Sequence, residues 1–301
     1  MRKKYYSLLI VVAAIMWSID ALLRRTLHQI PPATITLLEH SLRLFILLPI
    51  VPRFKSQFKK LKGKDWLNVV GLGITAALAS IMFTAALGRI QFIKFSVVAL
   101  LQQAQPIFTV LLAIIILKEK INFRYLSLAA LALIAAYFLS FPSFRPTFLY
   151  NQGELTAVLL ALGAAFAWAS GVILGKLILK KISYMAVAFL RFAVVVPVAL
   201  IVSFTFNQTY PLAAINPTQW FYLLIMALFT GVASFAIYYK GLQYTEAKVA
   251  TFAGFAYPLS AAVIGFVFLG ERLTGIQLLA GGILLADVLV LSLTSPQKIS
   301  D

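Results

Sequence analysis

The chain contains no cysteine, which excludes disulfides, thiolate metal sites and cysteine nucleophiles. It holds two histidines in 301 residues and no HExxH, GxSxG or Asp-rich run. An enzyme built on paired aspartates, a Ser/His pair or a metal-ligand cluster therefore lacks its raw material, and neither catalysis, metal nor cofactor is expected. Charge is scarce as well. Charged residues make up 12% of the chain and only nine of them are acidic, against about 25% charged in a soluble domain.

What is present is hydrocarbon. Hydrophobic residues reach 62% and the mean hydropathy is +0.95, so the solvent is lipid. Apolar stretches recur at 5–23, 34–52, 66–87, 96–117, 123–141, 155–175, 184–204, 218–239, 248–269 and 275–293. Each is long enough to cross about 30 Å of hydrocarbon as a helix. Short joints with Pro, Gly, Asn or charge separate them, as at Lys62-Gly-Lys-Asp65 and Ile215-Asn-Pro217, and no segment is left over for a soluble domain. A β-barrel would show alternating polarity, whereas Ile107 to Leu117 is apolar on every face. The basic start Met1-Arg-Lys-Lys before an apolar run imitates a signal peptide, but the run carries Asp20 and no small-residue cleavage site, so it is taken as the first span.

The positive charge has a side. With the N-terminus in the cytoplasm, 18 Lys and Arg fall on the cytoplasmic side, in 2–4, 53–64, 118–124, 176–181, 240–248 and at 298. Six fall opposite: Arg24, Arg25, Arg89, Lys94, Arg145 and Arg272. Both termini are thus expected in the cytoplasm, in a multi-pass protein of the cytoplasmic membrane. The net charge of +17 follows sidedness and is not gathered on one domain, which argues against a nucleic-acid partner. The densest run, Arg53 to Lys64, spaces Phe54, Phe58 and Leu61 at i, i+4 and i+7. It is either a short interfacial helix on anionic lipid or a solvated loop that enforces orientation.

The sequence repeats. Ala13-Ala-Ile-Met-Trp17 lies over Ala164-Ala-Phe-Ala-Trp168 at an offset of 151, and Arg43 to Pro49 over Arg191 to Pro197 at 148. Trp66 and Leu78-Ala-Ser80 meet Trp220 and Val232-Ala-Ser234 at 154. Pro106 and Leu117-Lys-Glu-Lys-Ile121 meet Pro258 and Leu269-Gly-Glu-Arg-Leu273 at 152. Five spans per copy is an odd number, so the second copy enters the membrane from the opposite side. The expected fold is an all-α membrane protein of ten transmembrane helices in two inverted five-helix repeats, residues 1–145 and 146–301, an architecture of secondary transporters.

These duplicated landmarks, the Trp of spans one and six, the Arg-x5-Pro of spans two and seven, and the Pro-x12-Glu of Pro106 to Glu119 and Pro258 to Glu271, resemble the EamA-type branch of the drug/metabolite transporter superfamily over essentially the whole chain. The resemblance implies ten helices around a central cavity lined by spans 1, 3, 4, 6, 8 and 9, and transport by alternating access. The expected cargo is a small polar metabolite, an amino acid or related compound, moved outward. S-adenosylmethionine, a nucleobase or a lipid-linked substrate are the alternatives, and an intramembrane enzyme a remote one. Partners are the substrate and the bilayer, with a monomer or homodimer.

Ionised groups deep in a span cost about 2.5–3.5 kcal/mol on insertion scales and should face protein or a watery cavity. Asp20, Glu39, Arg43, Arg191 and Asp287 are such groups. Glu39 and Arg43 are four apart and can pair on one face. Arg43 has a repeat counterpart in Arg191, whereas Glu39 and His40 map to Val187 and Ala188. The arginines are therefore expected as shared framework or substrate contacts, Glu39 as a group specific to this protein's substrate or a proton, or else a plain ion pair. Asp20, one turn beyond Trp17, either binds a cation or proton or is hydrated near the helix end. Asp287, on the peripheral tenth span, suits a dimer contact or a buried hydrogen bond. Gln102 and Gln105 share a face before Pro106, where a missing backbone hydrogen bond opens the helix. With Tyr257 before Pro258 and with Trp17, Trp168 and Tyr238 they are expected to line the substrate site, their structural alternative being interhelical hydrogen bonding. Gly171-Val-Ile-Leu-Gly175 is a packing motif, and Glu119 and Glu271 are expected to cap or pair at the interface.

Overall fold

The computed structural model of the chain describes residues 6–89, 91–92, 98, 101–118, 123–140, 152–269 and 274–294. Those residues are helical throughout their ordered elements and include no strand. Helix α1 is Tyr6–Thr26 and α2 Pro32–Leu47, continued by the 3-10 segment Leu48–Phe54 and the single turn α3, Lys55–Phe58. Helix α4 is Gly63–Gly88. The 3-10 turn Gln102–Ala104 leads into α5, Gln105–Leu112, then the π-helical Ala113–Leu117. Helices α6 (Phe123–Ser140), α7 (Gln152–Leu179) and α8 (Tyr184–Thr205) follow. Helix α9, Pro217–Ala227, runs through the π segment Leu228–Ala233 into α10, Ser234–Tyr244. Helices α11 (Ala247–Ala253), α12 (Ala256–Leu269) and α13 (Gly275–Thr294) complete the fold.

Six of these runs are long and apolar enough to cross a membrane: Tyr6–Thr26, Pro32–Phe58, Gly63–Gly88, Leu155–Leu179, Tyr184–Thr205 and Pro217–Tyr244. Their outward faces carry large apolar side chains, among them Phe45, Leu67, Ile201 and Phe204. A water-soluble surface would not tolerate such continuous exposure. The ends are set by local chemistry. Pro32 and Pro217 occupy first-turn positions, where the missing N–H is no loss. Asn216 and Gln219 exchange reciprocal side-chain and backbone bonds of 2.9 and 3.0 Å, a capping box that fixes where α9 starts.

The core sits where small residues let backbones approach. Helices α4 and α7 pack along their length; Gly171 meets Thr75 and Leu72, and Gly175 meets Tyr239 and Leu72. The GxxxG of α7 is thus a packing surface, as its spacing suggested. The run after α2 does form a short helical segment, with Phe54 and Leu61 buried, Phe58 against Phe189, and Lys55, Lys59 and Lys60 exposed. Asp287 is buried at 3% exposure, and neither carboxylate oxygen has a hydrogen-bond partner among the described residues. Glu119 and Glu271 lie outside the described residues.

Candidate functional site

Helical interruptions cluster around one cavity. Pro106 and the 3-10 turn before it replace an α bond, Gln105 N–H donating to the Gln102 carbonyl. Opposite, Gly254 and Phe255 form a turn between α11 and α12; Pro258 has no N–H for the Gly254 carbonyl, which accepts from the Tyr257 N–H at 2.9 Å. Between them lies a cavity of about 180 Å3, bordered by α1, α2, α4, α5, α7, α8, α10, α11, α12 and the two interrupted segments. A single water needs roughly 10–15 Å3 on the same measure, so this space admits an organic molecule.

Nine of the ten residues singled out in the sequence line it: Trp17, Asp20, Arg43, Gln102, Gln105, Trp168, Arg191, Tyr238 and Tyr257. Aromatic rings form its walls. Trp17 stands 5.3 and 5.0 Å from Phe235 and Tyr238, and its Nε1 donates to Ser234 Oγ at 2.9 Å. Trp168 meets Phe83 edge-on at 5.0 Å. The polar groups are held by one hand and open with the other. Gln102 Nε2 donates to the Ala161 carbonyl at 2.8 Å, while its Oε1 and the Tyr257 hydroxyl are buried without a partner among the described residues. Buried orphans of this kind cost about 1–3 kcal/mol each unless something binds them.

Glu39 is the tenth residue, and it does not reach the cavity. It is fully buried behind the wall, where Arg24 Nη2 donates to both its oxygens at 2.7 and 2.6 Å, Arg43 Nη2 at 3.2 Å and Ser80 Oγ at 3.3 Å. Arg24 also binds Asp20 through Nε at 2.5 Å and Thr84 through Nη1 at 2.9 Å. Asp20 takes a further bond from Thr230 Oγ1 at 2.6 Å, and Arg43 donates to the Met226 carbonyl at 3.2 Å. The π segment of 228–233 begins beside that carbonyl, and a side chain on Gly231 would collide with Arg43 Nε. His40 bridges from Thr36 O to Arg43: its Nδ1 lies 2.9 Å from the carbonyl and its Nε2 3.1 Å from Arg43 Nη1. A guanidinium can only donate, so His40 Nε2 is the acceptor of that contact.

Arg24 corrects the sequence reading, which counted it among loop charges on the outer side. At 6% exposure it is the centre of the ion cluster. Its signal was the spacing: Trp17, Asp20 and Arg24 fall on one face of α1, and Asp20–Arg24 repeats the acid-to-arginine interval of Glu39–Arg43. Thr230 and Gly231, whose roles depend on a local π turn, carried no such signal.

Arg191 differs from the other two arginines. Its Nη1 donates to the Tyr239 hydroxyl at 3.1 Å and its guanidinium stands 4.2 Å over the Phe235 ring. Among the described residues its Nε has no hydrogen-bond partner and no carboxylate pairs with it. The cavity therefore faces three arginines, 24, 43 and 191, and two carboxylates, 20 and 39, directly or one shell behind.

Comparison with known proteins agrees with this architecture. The model of the EamA-like transporter family matches twice, over residues 4–141 and 155–293. The chain is 31% identical to the "Riboflavin transporter ImpX" of Fusobacterium nucleatum subsp. nucleatum over 95% of its length and 97% of that protein. It is 28% identical to a "Probable amino-acid metabolite efflux pump" of Salmonella typhimurium, over 94% and 92% of the two chains. A crystal structure shares the fold with a TM-score of 0.73 at 14% identity, covering 95% of this chain and 96% of its own. The chain belongs to the EamA-like transporter family.

Proposed function

We propose that this protein is a secondary transporter of the cytoplasmic membrane that carries a planar, polar, uncharged or weakly acidic metabolite by alternating access, a flavin of the riboflavin type being the first candidate. The observation that carries the reading is the cavity itself: aromatic faces of Trp17, Trp168 and Tyr238 flank unsatisfied polar groups at Gln102 and Tyr257. A flat heterocycle offers faces to stack and an edge of carbonyls and N–H to bond. The likeness to the Fusobacterium protein supports the same choice. The arginine excess speaks against a cation such as S-adenosylmethionine.

Ten spans in two inverted halves, residues 1–145 and 146–301, with both termini cytoplasmic, are part of this proposal. The two family matches support it, and so does the packing. Helix α1 packs on α10 and α12 as α7 packs on α4 and α5; α2 packs on α8, and α6 on α13. Exchanging the halves leaves that pattern unchanged. In such pairs the site sits at the repeat interface and rocking of one half on the other exposes it alternately.

Export of an amino-acid metabolite is the second reading, favoured by Arg191, whose open guanidinium suits a carboxylate, and by the likeness to the Salmonella pump. Counterflow in proteoliposomes separates the two. Vesicles loaded with unlabelled riboflavin should accumulate labelled riboflavin; accumulation of labelled phenylalanine by phenylalanine-loaded vesicles, with none of riboflavin, would overturn the flavin reading.

A further inference from the structure

The internal repeat explains why Arg191 stands alone. Aligning the halves, Asp20 and Arg24 fall opposite Gly171 and Gly175, and Glu39 and Arg43 opposite Val187 and Arg191. The first half supplies two acids and two arginines, which neutralise one another at 2.5 to 3.2 Å. The second half keeps one arginine and no acid. In the space that Gly175 leaves, Tyr239 approaches, its ring 3.2 Å from where a Cβ would stand, and its hydroxyl receives Arg191 Nη1. Arg191 is buried at 8% exposure, borders the cavity and, among the described residues, leaves Nε unbonded. A buried cation without a counter-charge is costly. The Phe235 face offsets part of that cost, and a ligand oxygen offsets the rest.

We propose that Arg191, set by Tyr239 and Phe235, is a subsite for an electron-rich oxygen of the substrate, the dione edge of a flavin-type ring or a carboxylate. The proposal rests on the transporter reading and adds the polarity of binding: an acceptor oxygen toward Arg191, and a donor elsewhere on the cargo, a hydroxyl or an amine, toward the open Gln102 Oε1. A guanidinium forms two parallel bonds to a carboxylate, or to one dione carbonyl and the bare ring nitrogen beside it in a flavin, which neither lysine nor glutamine can reproduce.

Matched probes test it on the full-length protein in detergent. Lumiflavin is compared with phenazine, a flat tricycle lacking the dione, and tryptophan with tryptamine, which lacks the carboxylate. Binding is read by fluorescence quenching and thermal shift, for the wild type, Arg191→Gln and Arg191→Lys. In at least one pair the oxygen-bearing member should bind about tenfold or more tightly than its partner. Arg191→Gln should erase that preference while leaving affinity for phenazine unchanged and that for the cation tryptamine no weaker, and Arg191→Lys should keep only part of it. Preference confined to the tryptophan pair and dependent on Arg191 sinks the flavin reading and keeps the subsite. A preference that survives Arg191→Gln in protein of wild-type melting temperature overturns the subsite and keeps the reading. Binding of neither pair overturns both.

Discussion

Glu39→Gln is the perturbation that best separates a buried strut from a substrate contact. The substitution keeps size and shape but removes the charge on a fully buried group that accepts two bonds from Arg24, one from Arg43 and one from Ser80. Two guanidinium groups then share Asp20 alone, which binds Arg24 at 2.5 Å and lies 3.9 Å from Arg43. Removing one member of a buried pair costs about 3–5 kcal/mol, chiefly because the other charge is left unpaired. Arg24→Gln alone should cost a similar amount by the same reasoning. The double substitution removes one charge of each sign and leaves Asp20 with Arg43, so it should cost about 1–3 kcal/mol less than the sum of the singles. Circular dichroism during SDS titration of mixed micelles measures all four corners of the cycle. If Glu39→Gln unfolds with the wild type yet binds no substrate, Glu39 is a cargo-binding group and the strut argument is wrong. If the singles add, the ion cluster contributes nothing as a unit.

Three further outcomes are expected. Gly231→Ala places a Cβ against Arg43 Nε and 2.7 Å from the Met226 carbonyl; it should lose about 1–3 kcal/mol of stability in the same SDS titration, and unchanged unfolding would show that Arg43 is free to move aside. Trp17→Phe keeps an aromatic face but loses the bond to Ser234, so ligand affinity should fall only a few-fold, whereas Trp17→Leu should weaken quenching-based binding about tenfold or more. The chain lacks cysteine, so single cysteines report sidedness directly: Thr218→Cys should react with an impermeant maleimide in intact cells, and Ser56→Cys only after permeabilisation, the reverse refuting the assigned orientation.

Much of this was legible because lipid simplifies the code. Where solvent is apolar, a buried polar side chain has few reasons to exist, and depth alone drew attention to Asp20, Arg43, Gln102, Gln105 and Arg191, all of which border the cavity. The aromatic positions were legible through duplication, Trp17 with Trp168. Arg24 was misassigned because charge counting treats the last turn of a span as a loop, and the polypeptide there stays inside the protein until Thr26. Glu39 was expected as a group for the substrate or a proton, or else as a plain ion pair; it pairs with Arg43 and does not border the cavity, because sequence spacing could not say on which side of the helix a cavity lies. That is decided by the arrival of Arg24 and Ser80 from α1 and α4, contacts with no sequence-local trace. Span nine is interrupted at Gly254 and Phe255, where Pro258 lacks the N–H that would have bonded the Gly254 carbonyl in an unbroken helix; the sequence reading drew a helix opening from Pro106 and used Tyr257 only as a wall residue.

The missing acid of the second half can be put back. Val187 is fully buried on α8, four residues before Arg191, the interval at which Glu39 binds Arg43. Val187→Glu should therefore give Arg191 an internal carboxylate at hydrogen-bonding reach. The larger side chain costs packing, about 1–3 kcal/mol for overfilling a core, and Val187→Gln carries the same penalty without the charge. If an unpaired Arg191 is what recruits the substrate oxygen, Val187→Glu should abolish the preference for lumiflavin over phenazine, or tryptophan over tryptamine, as Arg191→Gln does. Val187→Gln should keep it, at lower stability but with the same ratio of affinities. Equal ratios in the two variants would mean that Arg191 acts on the fold and not on the cargo. Tryptamine offers the complementary check: a carboxylate beside Arg191 removes the positive excess of the cavity, so Val187→Glu should bind this cation more tightly than the wild type does, a gain of binding that damage to the fold cannot imitate.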